Sequence, residues 1–256
     1  MDLLPFFDCS CSFGMRGIVN PGSFHTVEEL VGKMEYYGVK KALVYHSMAR
    51  EYSPAIGNRM LMESIRDYPQ LCPVWVVMPH HTGEFPEPLE LKRQLREHGI
   101  KAVRVFPAVS DQNYSIAGWN CGDLFDMLQS CGLPVFIGLD QLDWNQLHAL
   151  CSEHPGLKVV LTDVHYRIDR NLYALLEKFD RLCIETYGYK VHNGIEEITG
   201  KFGAHRLIFG SGMPVSSGAS AVSMINYARI GEAEKRQIAF ENLENLLGGV
   251  AYEQHL

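Results

Sequence analysis

Short apolar runs rich in β-branched residues alternate along the chain with longer segments whose apolar residues recur at helical spacing. Each short run is almost continuously apolar, which is typical of parallel strands that are covered on both faces. The pattern predicts eight strands, at Leu3–Asp8, Lys41–His46, Pro73–Met78, Ala102–Pro107, Leu133–Leu139, Leu157–Val164, Arg181–Tyr187 and Arg206–Ser211.

Helices are predicted between these strands. Thr26–Tyr37 opens with the capping-box pattern of Thr26 and Glu29 and stops at Gly38. The other predicted helices are Pro54–Tyr68, Glu87–His98, Cys121–Cys131, Gln141–His154, Asn171–Phe179, Asn193–Phe202, Ser220–Ile230 and Ala233–Leu247. Eight strand–helix units in 256 residues predict an α/β protein, a single-domain (β/α)8 or TIM barrel. An open doubly wound sheet is the alternative, and the first strand lacks the glycine-rich fingerprint of its dinucleotide-binding form.

Composition and charge narrow the classes of partner. The net charge is -7 and no basic stripe stands out, so a nucleic acid is not expected to bind. The sequence shows neither a signal peptide nor an apolar stretch of about 20 residues, which predicts a cytoplasmic protein with no membrane partner. Seven cysteines without a C-x-x-C pair indicate reduced, buried thiols. A homodimer is expected only because it is the commonest assembly.

Three sequence motifs, in the same order along the chain, resemble the motifs of a known protein family. The first strand leads into Asp8-Cys9-Ser10-Cys11-Ser12-Phe13-Gly14, and the last reads Arg-Leu-Ile-Phe-Gly-Ser-Gly-Met-Pro and ends at Pro214. The closing helix carries Ile238, Asn242 and a Leu-Leu pair. Together these motifs resemble the amidohydrolase-related (amidohydrolase 2) family of metal-dependent hydrolases, which opens on Asp-x-His-x-His and closes on Phe-Gly-Ser-Asp-x-Pro. The resemblance implies a TIM barrel with hydrolase or related lyase activity.

The resemblance also implies a metal site, and its ligand positions are substituted in this chain. The five positions hold Ser10, Ser12, Gly138, Asp163 and Gly212. A catalytic zinc ion needs about three protein ligands, whereas a serine hydroxyl is a poor ligand and glycine has no side chain. We therefore expect no metal at the inherited positions. A relocated zinc or other divalent cation among Asp163, His165, His46 and His80 or His81 is the alternative.

Other polar side chains lie where the barrel mouth is expected, at the carboxyl ends of the strands. Strand alternation predicts that Asp8, Ser10 and Ser12 point inward, whereas Cys9 and Cys11 face the helices. It also places Asp163 beside His165, and a carboxylate next to a histidine suits a general acid or base. The alternative is a structural histidine at a strand end. Glu185 is either a second acid–base group or an ion-pair partner of Arg104.

These assignments define the predicted site. The predicted catalytic residues are His165, Asp163 and Glu185. The predicted substrate-binding residues are Ser10, Ser12, His46, Arg104, Tyr187 and Ser211. Two functions stay open: hydrolysis or a related lyase step on a small anionic molecule without the family's usual metal, or a catalytically inactive barrel that binds a ligand or serves as a scaffold.

Overall fold

A computed structural model describes residues 4–252 and shows strands and helices alternating along the chain. The strands are β1 (Phe6–Phe13), β2 (Val39–His46), β3 (Leu71–Pro73), β4 (Trp75–Val76), β5 (Val103–Val105), β6 (Val135–Gly138), β7 (Val159–Thr162), β8 (Leu182–Glu185) and β9 (Leu207–Ile208). The first strand was predicted to begin at Leu3, which lies outside the described residues.

All neighbouring strands pair in parallel, in the order β1-β2-β3 and then β4 through β9. Only Val74 separates β3 from β4, and its amide donates to the carbonyl of Val44 in β2 at 2.8 Å. The two short strands therefore form one strand of the barrel. The amide of Cys9 donates to the carbonyl of Phe209 at 3.0 Å, which joins β1 to the segment after β9. The predicted TIM barrel is confirmed, and its carboxyl strand ends share one face.

The helices are α1 (Val27–Tyr37), α2 (Ser47–Glu51), α3 (Pro54–Ser64), α4 (Pro88–Glu97), α5 (Gly118–Ser130), α6 (Trp144–Glu153), α7 (Asp169–Lys178), α8 (Gly194–Phe202), α9 (Gly218–Asn226), α10 (Glu232–Arg236) and α11 (Asn242–Gly248). The α1 helix has the predicted capping box of Thr26 and Glu29 and ends at Gly38 in the left-handed conformation. A π-helical segment, Gln237–Glu241, connects α10 to α11 where one continuous helix was predicted. Within residues 4–252, no helix is long and apolar enough to cross a membrane.

Two apolar layers surround the strands. The inner layer fills the barrel and includes Phe7, Cys9, Tyr45, Phe106 and Phe136. The outer layer packs the strands against the helices. The prediction that Cys9 faces the helices is wrong, because β1 has one extra residue between Asp8 and Cys11 relative to β2. Such a bulge breaks the two-residue alternation on which the prediction depended.

Candidate functional site

The polar centre of the barrel lies at the carboxyl ends of β5, β7 and β8. Arg104 is the middle residue of β5, Thr162 ends β7 and Glu185 ends β8, and all three are buried. Asp163 follows Thr162 directly, and its side chain is 40% exposed. Asp163 is therefore the member of this group that a molecule arriving at the barrel mouth can contact.

Arg104 holds the group together. Its Nη2 atom donates to the hydroxyl of Thr162 at 2.7 Å and to Oδ2 of Asp163 at 3.3 Å. The guanidinium group lies over the rings of Tyr45 and Phe106, with centroid distances of 5.2 and 5.5 Å. A buried arginine needs such partners because an unpaired charge in an apolar interior costs several kcal/mol.

Asp163 has an unusual backbone conformation. Its φ angle is 53°, in the left-handed region that residues other than glycine and asparagine rarely adopt. The conformation turns the chain out of β7 and directs the carboxylate back to Thr162, whose hydroxyl lies 3.0 Å from Oδ2. Residues with such strained backbones concentrate at functional sites, where the surrounding structure stabilises them.

Glu185 is a fully buried carboxyl group next to Asp163. Burial, together with the negative charge of Asp163, raises its pKa to about 8, although the positive charge of Arg104 acts in the opposite direction. Its Oε2 atom accepts a hydrogen bond from the Asp163 amide at 3.3 Å. Its Oε1 atom has no hydrogen-bond partner among residues 4–252. At neutral pH the Glu185 carboxyl group therefore retains its proton.

Asp8 is a second buried carboxyl group, in β1. Its Oδ1 atom accepts hydrogen bonds from the amides of Ser10 at 2.9 Å and Ser211 at 3.0 Å. Burial raises the pKa of Asp8, which these hydrogen bonds partly offset. The amide of Ser12 donates to Met213 at 2.9 Å. These contacts fix β1 against the segment after β9 and make Asp8 part of the barrel closure.

The predicted substrate-binding residues fall into different environments. Ser10 is buried, and its side chain lowers the pKa of Glu185. Ser12 and Ser211 are buried at the β1–β9 junction. His46 ends β2, and its Nδ1 accepts from the Met48 amide at 3.1 Å, so it caps α2. Burial lowers the pKa of His46, which favours the neutral form needed for this cap.

The expected pairing of Asp163 with His165 does not form, and this part of the prediction is wrong. The alternation that placed both side chains together stops at Thr162, where β7 ends. His165 is exposed, and its Nδ1 atom donates to the Tyr166 carbonyl at 2.6 Å. In the described part of the chain, no salt bridge or hydrogen bond joins it to Asp163. A catalytic role for His165 stays a prediction, and the contact with the Asp163 carboxylate that was expected to support this role is not formed.

The donor set does not fit the family's metal. Among residues 4–252, no group of three or more His, Cys, Asp or Glu side chains is placed to hold a metal ion. The carboxylate of Asp163 is paired with the Arg104 guanidinium. A side chain at Gly212 would meet the Tyr187 ring, because a Cβ atom there would lie 2.8 Å from it. Asp163 is thus engaged by an arginine, and the Tyr187 ring occupies the space that a side chain at position 212 would need.

The chain was compared with known proteins. The family model described as amidohydrolase matches residues 35–249. The chain belongs to this amidohydrolase family. A search of curated proteins gave no match. The match of the family model confirms the resemblance inferred from the sequence motifs.

Solved structures of amidohydrolase-like barrels are similar to the chain along almost its whole length. A TIM-barrel protein from Bordetella bronchiseptica is 16% identical, with TM-score 0.75 and coverage of 96% of this chain and 99% of that one. A dihydroxybenzoic acid decarboxylase from Polaromonas sp. JS666 with bound manganese is 15% identical, with TM-score 0.71 and coverage of 95% and 97%. The 5-carboxyvanillate decarboxylase LigW from Sphingomonas paucimobilis is 13% identical, with TM-score 0.71 and coverage of 96% and 99%. At these identities the likeness shows the fold.

Restoring the family's last aspartate should not restore its metal site. Gly212→Asp is expected to lower the unfolding free energy by about 2 kcal/mol or more, because Gly212 has a φ of 69° and the new side chain would clash with Tyr187. Gly32→Ala, in the exposed middle of α1 with no atom near its Cβ position, is the control and should be neutral or slightly stabilising. Denaturant unfolding with and without added manganese measures both effects. A stable Gly212→Asp variant that binds manganese would contradict the packing argument.

Sequence reasoning missed two members of the site. Thr162, an apparent strand residue, bridges Arg104 and Asp163 through its hydroxyl group. Cys9 lies in the barrel interior, where burial raises the pKa of its thiol, and Glu185 raises it further at the high pH at which both groups ionise. A threonine two residues before the end of the predicted strand Leu157–Val164 was the only signal for the first. No sequence signal indicated the bulge that turns Cys9 inward.

Proposed function

We propose that the protein is a metal-independent acid–base enzyme of the lyase type, which removes CO2 from a small aromatic carboxylic acid at the barrel mouth. The observation that carries the proposal is the carboxyl pair of Asp163 and Glu185 beside Arg104. Glu185 holds a proton at neutral pH, while Asp163 is paired with a cation and is exposed to the mouth. Two neighbouring carboxyl groups that share one proton are a recurring device of acid–base catalysis.

The proposed step needs one proton and no activated water. The bond between the ring carbon and the carboxylate breaks, and CO2 leaves without the bonding electron pair. That pair forms the new C–H bond with the proton that Glu185 gives up and that the Asp163 carboxylate accepts and passes to the ring carbon. Water then returns a proton to Glu185. Hydrolysis would instead require an activated water molecule, which the family generates with its metal ion. Among residues 4–252, no group of three or more His, Cys, Asp or Glu side chains is placed to hold such an ion.

The decarboxylases among the structural neighbours support this choice of substrate class, because they are named as decarboxylases of dihydroxybenzoic acid and 5-carboxyvanillate. A non-catalytic ligand-binding barrel is the second candidate. It is favoured by the complete burial of Glu185 and the near-complete burial of Arg104, in contrast to the 40% exposure of the Asp163 side chain.

Asp163→Asn tests the proposed reaction. With a panel of hydroxylated benzoic acids and a chelator present, the unchanged protein is expected to release CO2, and the variant should be slower by about 100-fold or more because general acid catalysis is lost. Asparagine tolerates the left-handed backbone, so the fold should persist. Asp140→Asn, a second exposed carboxylate at the end of β6, is the control and should keep the rate.

Two outcomes would overturn the proposal. Turnover that appears only with added manganese or zinc would mean that a metal does the chemistry. Saturable binding of an acid from the panel without CO2 release would favour the ligand-binding barrel.

A further inference from the structure

A basic cavity lies at the same end of the barrel, between the loops that follow β7 and β8. Its volume is about 520 Å³, and Arg167, Arg170, Lys190 and His192 line it together with Asp169. The chain as a whole carries a net charge of -7, so this cluster of cationic side chains is opposite in sign to the net charge of the protein. The position at the carboxyl strand ends is where barrels of this kind bind their ligands.

The cations are not neutralised by the protein. In the part of the chain that the structure describes, no carboxylate lies within salt-bridge distance of Arg167, Arg170 or Lys190. The one acidic group of the cavity, Asp169, accepts a hydrogen bond from the Tyr189 hydroxyl at 2.7 Å. Three permanent positive charges thus face one negative charge, which leaves the cavity with a net positive charge.

Two of the cations are held in place by aromatic rings. The Arg167 guanidinium lies 5.2 Å from the ring centroid of Tyr166. The Lys190 ammonium lies 5.7 Å from the ring centroid of Tyr187. Such contacts reduce the conformational entropy that a long side chain loses when it binds a ligand. Arg167 also has a φ of 70°, which orients its side chain at some cost in backbone energy.

The first turn of α7 adds backbone donors. This ten-residue helix begins at Asp169, and Ile168 at its N-cap position offers no side-chain acceptor for the amides of Asp169 and Arg170, whereas the Asn171 amide donates to the Ile168 carbonyl at 3.0 Å. The positive end of the helix dipole thus lies next to Arg167 and Arg170 in the chain, and the Asp169 carboxylate in the first turn offsets part of it. Backbone amides and arginines at a helix start are a common arrangement for phosphate binding.

We infer that this cavity binds a phosphate group, either as the free dianion or as a small phosphate monoester. Three cations match a dianion better than the single charge of a carboxylate. The inference does not depend on the proposed decarboxylation, because it concerns binding and not turnover.

Isothermal titration calorimetry at constant ionic strength tests the inference, with inorganic phosphate, phenyl phosphate and benzoate as titrants. Inorganic phosphate is expected to bind with a Kd of about 1 mM or below, and benzoate more weakly. Tighter binding of phenyl phosphate would identify a monoester as the ligand, and equal binding would identify the free anion. The absence of saturable phosphate binding up to about ten times that concentration would overturn the inference.

Variants separate the cavity from general electrostatic attraction. The double variant Arg167→Gln, Lys190→Gln should weaken phosphate binding at least tenfold. If this double variant folds poorly, the single variant Arg170→Gln, on an exposed helical turn, should also weaken phosphate binding and keeps the test valid. The control removes the same charge elsewhere, by Lys33→Gln with Lys40→Gln on an exposed part of the surface. An equal loss in the control, or no loss in the cavity variants, would show that the cavity is not the site.

Discussion

Replacing Glu185 by glutamine is expected to make the protein more stable than the unchanged chain above pH 8 and about equally stable near pH 4.5. In the unfolded chain this carboxyl group ionises with a pKa near 4.5, whereas in the folded protein burial and Asp163 raise the pKa to about 8. The raised pKa contributes stability that is fully present below pH 4.5 and is lost as the pH rises through 8. Each pKa unit corresponds to about 1.4 kcal/mol. The unchanged protein should therefore lose about 5 kcal/mol over this range relative to the variant.

Denaturant unfolding across this pH range measures the difference. Glu177→Gln, at an exposed position of α7, is the matched control and should follow the unchanged protein. A Glu185→Gln variant that runs parallel to the unchanged protein at every pH would mean that Glu185 is already ionised in the fold.

Replacing Arg104 by methionine is expected to lower the unfolding free energy at pH 7 by about 3 kcal/mol. The methionine keeps much of the packing against Tyr45 and Phe106, but Asp163 loses its cation and Thr162 loses a hydrogen bond at 2.7 Å. The partial exposure of Asp163 keeps the effect at the lower end of the range for a broken buried pair.

A second substitution separates charge from packing in this experiment. Adding Asp163→Asn to the Arg104→Met variant removes the unpaired carboxylate and should recover about 1 kcal/mol. Arg93→Met, which removes an exposed arginine between Glu90 and Glu97, is the control and should leave the unfolding free energy nearly unchanged. An Arg104→Met variant as stable as the unchanged protein would show that the cation is not needed at the barrel centre.

The fold was predictable because the apolar pattern specifies both strands and helices. Continuous apolar runs located the strands, and the Thr26–Glu29 capping box with Gly38 fixed both ends of α1. The third strand appears as two short pieces around Val74, which the pattern could not distinguish from one. Local sequence thus determines which segments form strands and helices, and less reliably where each segment ends.

The site was only partly predictable, because its geometry depends on two departures from regular strands. The extra residue in β1 turns Cys9 inward, and the left-handed Asp163 ends the alternation that had placed His165 beside it. The sequence suggested one ion-pair partner for Arg104 at the barrel mouth, which was Glu185. In the structure Arg104 contacts Asp163, and its charge only lowers the pKa of Glu185. Long-range packing decides such pairings, and no local pattern encodes them.

The proton held by Glu185 is the central claim of this account, and a carboxyl-carbon NMR titration tests it most directly. Glutamate labelled with 13C at the side-chain carboxyl would be followed from pH 3 to 10, with Glu185→Gln to assign the resonance. The account predicts a pKa of about 8 for Glu185, and a lower pKa in Asp163→Asn because the neighbouring negative charge is removed. A pKa near the ordinary 4.5 in the unchanged protein would contradict the account and leave the barrel without its proposed proton donor.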